Sequence, residues 1–137
     1  MKGRQHFVRG EMDAWKAITT TYYMALYNST LAPNQATDDV YSTTNELATA
    51  GGYTQGGHVM TLTDPTTTGS APNALAKLAG SDVTWGPTAT FTGVRTAIIY
   101  KNSGTKYLLG YINYDVDKAA QGGNFTITCP TAGWFNF

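Results

Sequence analysis

Apolar and polar residues alternate along several short segments of this chain. Tyr107 to Val116 is one of the longest, and β-branched and aromatic residues are enriched in it. Alternation of this kind, bounded by Gly, Asn, Ser or Pro, is typical of a β-strand. The pattern predicts about eight short strands. The clearest of these cover residues 19–28, 58–63, 83–92, 96–100, 107–116, 123–129 and 133–137.

Turn signals follow these segments roughly every eight to twelve residues, as in sandwiches and barrels. We therefore expect an all-β fold, either a single antiparallel β-sandwich or a jelly-roll-like barrel. Residues 64–73 are expected to form a loop, and residues 43–47 and 74–79 one helical turn each. Residues 19–28 are apolar on both alternating faces, so that strand should be central or at an interface. Residues 107–116 are likewise expected to form a central strand or a contact with a neighbour.

The first 18 residues differ in character from the rest. Residues 10–18 place Met12 and Trp15 on one helical face, which predicts about two turns of helix after a basic start. The chain thus divides into an arm with a short helix (residues 1–18) and a β-sandwich domain (residues 19–137). So short a helix needs tertiary support. Trp15 would dock on its own sandwich, or residues 1–9 would reach a neighbouring subunit.

The composition excludes several classes of partner. Charged residues make up only 13% of the chain and the formal net charge is zero, so no global field attracts nucleic acid or an anionic membrane. The chain has 23 Thr, 15 Gly and 9 Tyr, which suits strands and turns. The charged start has no apolar run, so neither a signal peptide nor a membrane span is expected there. Cys129, the single cysteine, is expected to be a small buried hydrophobe.

Candidate chemistry is sparse. The two histidines, His6 and His58, are far apart, and no metal-binding or nucleophile motif occurs, so we expect no enzyme, metal site or cofactor. Asp115 and Asp117 could share one face of a strand, but solvated turn carboxylates are the simpler interpretation. A dyad of carboxylates for glycoside hydrolysis stays open on sequence alone. The glycine pairs of residues 51–57 predict a tight turn, with a phosphate cradle as the alternative.

Aromatic residues on the predicted strands raise a second type of function. Exposed tryptophan and tyrosine side chains on a sandwich can stack on sugars, which would make the protein a carbohydrate-binding or host-recognition module. Most aromatics at alternating positions are instead core or interface residues, since each buries about 150–250 Å². The residues concerned are Trp85, Trp134, Tyr100, Tyr107, Tyr111 and Tyr114.

The order of motifs along the chain is more informative than any one of them. After the YYMALYNS strand comes an Asn-Glu pair that precedes a Gly-Tyr-Thr-x-Gly-Gly turn, then a Trp85 segment and an Ala-Ile-Ile-Tyr strand. The turn motif comprises Asn45, Glu46, Gly52, Tyr53, Thr54, Gly56 and Gly57. Over residues 14–137 this order resembles that of small structural proteins of tailed-bacteriophage virions.

The resemblance implies a protein without catalysis that is assembled into the phage particle in the host cytoplasm. It implies a capsid decoration (cement) protein that stabilises the head, or else a component of the neck or tail. Its partners would be the major capsid protein or other virion proteins, and homo-oligomers would form in the particle. The candidate subunit-contact residues are Lys2, Arg4, His6, Phe7, Arg9, Trp15, Trp134 and Phe137.

Overall fold

The fold is all-β and antiparallel, as the sequence predicts. The computed structural model describes residues 22–34, 36–63, 66–68 and 75–136, and no helix occurs among them. The helix predicted at residues 10–18 lies outside this range. The described strands are β1 (Tyr22–Tyr27), β2 (His58–Val59), β3 (Thr66–Thr68), β4 (Leu75–Leu78), β5 (Val83–Ala89), β6 (Val94–Lys101), β7 (Leu108–Lys118), β8 (Gly123–Ile127) and β9 (Phe135–Asn136).

The strands form three antiparallel sheets. The largest has the order β2-β1-β6-β7, and Met24 pairs with Ile99 at its centre. A second sheet consists of β5 and β8, and a third has the order β3-β4-β9. Strands β6 and β7 pair across a connection that contains Asn102-Ser103-Gly104, residue types that favour a turn.

The main hydrophobic core lies between the largest sheet and the β5–β8 pair. Met24 and Leu26 of β1 are fully buried there, together with Val83 and Trp85 of β5. Phe91 and Phe125 meet edge to face with ring centroids 5.2 Å apart, which is a favourable aromatic geometry. The two sheets therefore share one core across their facing surfaces, as in a sandwich.

The opposite face of the largest sheet is also covered. Ala25, Tyr27, Ile98 and Tyr100 form a second buried cluster there, on which Leu31 and Tyr41 pack. Because consecutive strand residues point to opposite faces, burial of nearly all of β1 means that it is covered on both sides. The expectation of a central first strand is thereby confirmed.

Several local expectations were wrong. Residues 75–78 form β4, not a helical turn, because they pair with β3 and β9, and residues 66–68 of the predicted loop form β3. Residues 43–47 contain a turn but no helix, since Glu46 bridges to Tyr27 instead. Cys129 lies beyond the end of β8 and is only half-buried.

Strand β7 is not a central strand, which was one of the two alternatives expected for residues 107–116. It lies at the edge of its sheet, because β6 is the one described strand that pairs with it in that sheet. Asp115 and Asp117 lie within this strand, not in a turn, and Asp117 accepts a hydrogen bond of 2.7 Å from the Arg95 guanidinium. Tertiary pairing thus extends β7 to Lys118, two residues beyond the predicted end.

The glycine-rich turn at residues 51–57 packs directly on β1. A Cβ atom at Gly57, where φ is +79°, would collide with the Met24 carbonyl oxygen and lie against Ala25. Only glycine therefore allows this approach, for conformational and for steric reasons.

We predict that Gly57→Ala lowers the free energy of unfolding by about 3 kcal/mol or more, because strain and collision add. Gly122→Ala is the matched control, since φ there is +82° and no atom lies within 4 Å of the added Cβ. The control should cost only about 1–2 kcal/mol. Urea denaturation measures both, and equal losses would contradict the packing argument.

Candidate functional site

The most unusual side chain in the described structure is a buried glutamate. Glu46 is only 7% exposed, although glutamate is rarely buried without partners. Its Oε1 atom accepts hydrogen bonds from the Tyr53 hydroxyl and the Gly56 backbone N–H, and its Oε2 atom accepts one from the Tyr41 hydroxyl, all at 2.6 Å. Short bonds to a carboxyl group are among the stronger hydrogen bonds in proteins, and together they offset its desolvation.

This group of bonds connects the glycine turn to the edge of β1. The Tyr53 hydroxyl that donates to Glu46 also accepts from the Leu26 backbone N–H at 2.9 Å. Further along β1, Leu47 N–H donates to the Leu26 carbonyl and Asn28 N–H donates to the Asn45 carbonyl. Residues 45–47 therefore continue the sheet beside the end of β1, where the two-residue strand β2 no longer pairs.

Two further tyrosines hold the surrounding loops. The Tyr27 hydroxyl donates to the Ser42 carbonyl and the Tyr100 hydroxyl to the Gly56 carbonyl, both at 2.6 Å. The ring of Tyr41 stacks on that of Tyr100, with centroids 4.3 Å apart and planes inclined by 18°. We call Glu46 with Tyr27, Tyr41, Tyr53 and Tyr100 the glutamate–tyrosine cluster.

The cluster keeps its tyrosines protonated. Burial raises the pKa of Tyr27 and Tyr53 far above the ordinary value of 10.0, and the nearby Glu46 carboxyl raises both further. The same two causes raise the pKa of Tyr41 and Tyr100. A hydroxyl that stays protonated remains a donor, so the folded cluster keeps its hydrogen bonds at pH values at which an exposed tyrosine begins to ionise.

The chemistry available to this arrangement is limited. The Glu46 oxygens are occupied by donors of the same chain, and a general acid or base needs an open position toward its substrate. Within the described ranges, no group of three or more His, Cys, Asp and Glu side chains could hold a metal ion. The arrangement thus supports a structural role: it fixes residues 41–57 on β1.

Sequence reasoning did not identify Glu46 as a site residue. The sequence pattern predicts Glu46 near the start of a helical turn, whereas in the structure its side chain is buried among tyrosines. One signal in the sequence could have indicated this burial. Glu46 is a single acidic residue shortly before Tyr53 and the Gly56-Gly57 pair, in a segment with few other charges. The phosphate-cradle alternative loses support, because the Gly56 N–H already donates to Glu46.

An open cavity adjoins the cluster on the outer face of the largest sheet. It has a volume of about 310 Å³, and Tyr27 of the cluster contributes to its wall. Its apolar part comes from Leu31, Val40, Ile98 and Leu108, while Asp38 and Asp39 bring acidic groups to its lining. Its volume is at the lower end of the range of small-ligand sites, about 300–1,000 Å³.

The second exposed feature is the far end of β7. Residues 39–41 cover the start of this strand, through bonds from Leu108 N–H to the Asp39 carbonyl and from Tyr41 N–H to the Lys106 carbonyl. Beyond them the strand becomes exposed, and Val116 is 58% accessible. An edge strand presents backbone N–H and C=O groups to which a strand of another chain can pair, and an exposed apolar side chain adds contact area there.

The structure places only one of the predicted contact residues. Trp134 is half-buried against the main core, and its indole N–H is buried without a partner among the described residues. The other seven lie outside the described ranges: Lys2, Arg4, His6, Phe7, Arg9, Trp15 and Phe137. Of the six aromatic residues considered for sugar stacking, Trp85 and Tyr100 are enclosed, at 3% and 1% exposure, and the other four are half-buried.

Comparison with known proteins finds no matching family model, no matching curated protein and no matching solved structure. Among the residues that the structure describes, no helix has the length and apolar character required to cross a membrane.

We predict that Glu46→Ala destabilises the fold by about 3–5 kcal/mol, because one buried and two partly buried donors lose their acceptor and a cavity forms. Glu46→Gln should cost less, about 1–2 kcal/mol, since its carbonyl oxygen can still accept from Tyr53 and Gly56. Asp115→Asn is the matched control, as it removes the same charge from an exposed strand position and should change stability by under about 0.5 kcal/mol. Denaturant unfolding monitored by circular dichroism gives all three values, and a Glu46→Ala loss as small as the control would refute the structural role.

We also predict a steep loss of stability at alkaline pH. The folded-state pKa of the four cluster tyrosines is raised, so the stability they contribute is complete below the unfolded pKa of about 10 and falls as pH rises beyond it. Above that pH, unfolding should release up to about four additional protons, roughly one per tyrosine of the cluster. Tyrosinate absorbance and circular dichroism, followed in one alkaline titration, check this. Ionisation of these tyrosines well before the loss of strand signal would contradict it.

Proposed function

We propose that this protein is a structural component of a bacteriophage virion, and specifically a decoration protein that stabilises the assembled head through subunit contacts. The observation that carries the proposal is the role of the Asn45–Gly57 motif. Within this motif, Glu46, Tyr53 and Gly56 make two of the hydrogen bonds of the glutamate–tyrosine cluster, and Gly57 allows the turn to pack on β1. The resemblance therefore concerns residues that determine the fold, which supports its relevance.

The chemistry of the described residues favours binding over catalysis. Glu46, the acidic residue that is buried, is occupied by its own chain, and the aspartates of β7 are exposed at a sheet edge. Low charge and a large share of threonine suit a surface that neighbouring subunits cover. A protein that binds the assembled particle in preference to the free capsomer stabilises it by mass action.

The exposed edge of β7 supplies a physical route to such contacts. A strand of 11 residues whose last four are exposed can accept a strand or an arm from another subunit. Val116 adds an apolar side chain there. Free edges promote uncontrolled pairing, and the charges of Asp115, Asp117 and Lys118 limit such pairing in the isolated protein.

The copy number separates a head protein from a neck or tail protein. A decoration protein occupies a repeated lattice position, so we expect on the order of hundreds of copies per particle. About six or twelve copies would instead place it at a ring-shaped neck or tail structure. Quantitative mass spectrometry of purified particles measures this number.

We predict that removing residues 1–13 leaves the β-domain folded but lowers occupancy on the particle by about tenfold or more, because the arm contributes contacts beyond the domain surface. Occupancy is measured by adding the purified protein to particles that lack it. Circular dichroism of the truncated protein verifies that the strands remain.

Two double substitutions within the arm serve as a matched pair. Arg4→Gln with Arg9→Gln removes two positive charges, and Glu11→Gln with Asp13→Asn removes two negative ones. If the basic residues make the contact, only the first pair should reduce occupancy. Full occupancy of the truncated protein would exclude the arm as an anchor.

A further inference from the structure

The cavity beside the glutamate–tyrosine cluster combines two properties that define what fits it. Its floor includes Ile98 and Leu108, which are 4% and 3% exposed and belong to strands of the largest sheet. Val40 stands at its rim and is 49% exposed, which is unusual for a large apolar side chain in this fold. Such a site favours an apolar or aromatic group that would cover Val40.

The rim adds negative charge. Asp38 and Asp39 both line the cavity. The Asp38 carboxylate also accepts from the Asn34 backbone N–H at 2.7 Å, which holds it in the loop and does not neutralise it. No lysine or arginine is among the lining residues. The occupant that fits best therefore has an apolar or aromatic anchor with positive charges close to it.

One segment of this chain has that character. Residues 1–21 contain four basic and two acidic side chains, for a net charge of +2, and residues 22–137 contain five basic and seven acidic ones, for a net charge of −2. Within the first segment, residues 2–9 are purely basic and include Phe7 between Arg4 and Arg9. The charge of this segment is thus complementary to that of the domain to which it is joined.

We propose that residues 2–9 of the chain dock in this cavity in the isolated protein, with Phe7 on the apolar floor and the flanking arginines at the acidic rim. The docked segment would cover Val40 and be unavailable to other subunits until a stronger contact displaces it. This contact needs no phage particle, so it stands or falls independently of the virion function.

The length of the chain permits this contact. Residues 10–21 can span up to about 40 Å when extended, and the path along β1 from Tyr22 to the cavity wall at Tyr27 is only about 17 Å. A tethered segment has an effective concentration in the millimolar range, far above that of a second copy in dilute solution. This difference favours the chain's own segment over that of a neighbour.

Photo-crosslinking tests the proposal on the full-length chain. A photoreactive phenylalanine analogue at position 7 should crosslink to residues 31–45 or to the parts of β6 and β7 that contain Ile98 and Leu108. A mixture of isotopically light and heavy protein should give crosslinks within one chain only. Crosslinks to other regions, or a yield no higher than in denaturant, would overturn the proposal. Mixed light–heavy crosslinks at dilute concentration would overturn it as well, by making a second copy the occupant.

Two valine substitutions provide a matched pair. Val40→Glu places a charge at the cavity rim and should lower the crosslink yield by about tenfold. Val116→Glu changes the same residue type at an even more exposed position on β7 and should leave the yield unchanged. An undiminished yield in Val40→Glu, with strand content intact by circular dichroism, would also overturn the proposal.

Substitutions in the arm test the contribution of charge to docking and leave the described domain unaltered. Arg4→Glu with Arg9→Glu should reduce the yield at least as strongly as Val40→Glu, and Glu11→Gln with Asp13→Asn should not. Because attraction between exposed charges is screened, raising the salt concentration should reduce the yield of the unsubstituted protein too. Equal yields from both arm variants would contradict the assigned role of the arginines.

Discussion

The architecture depends on the burial of β1 on both faces. It also depends on the groups that bond to the backbone of β1 along the edge where no long strand pairs with it. Strand β2 pairs with only two residues of β1, so the backbone of Leu26 requires other partners. The Tyr53 hydroxyl and the Leu47 N–H supply them, and the Glu46 carboxyl holds Tyr53 in place. Because a buried carboxyl without partners would be costly, this arrangement forms as a unit or not at all.

This constraint also gives physical meaning to the motif on which the resemblance to virion proteins rests. A Cβ at position 57 would collide with the Met24 carbonyl, and the φ of +100° at position 56 favours glycine where the backbone bonds to Glu46 and Tyr100. A motif that appears to be a flexible turn is in fact an ordered part of the sheet. Its residues determine the shape of the domain, and the surfaces that the domain presents must supply the function.

Those surfaces have different characters. The end of β7 offers backbone hydrogen-bonding groups and an exposed valine, which suits pairing with another subunit. The cavity beside the cluster offers an apolar floor with two acidic residues, which suits a basic and aromatic segment. The chain is neutral as a whole but positive at its start and negative in its domain, and under the two proposals one surface receives its own arm and the other its neighbours.

The sequence alone determined the fold class, because short segments rich in β-branched and aromatic residues and bounded by turn residues are a local signal, which β1, β5, β6 and β7 carry. It also determined that β1 is covered on both faces, since apolar residues occupy both of its alternating positions. It could not determine that residues 75–78 form a strand, because that choice depends on partners distant in sequence. Nor could it assign a structural role to Glu46, because the sequence does not show that Tyr41, Tyr53 and Gly56 donate hydrogen bonds to its carboxyl group. Only the tertiary structure brings those donors together, and the hydrogen bonds they make are what allow the carboxyl group to be buried.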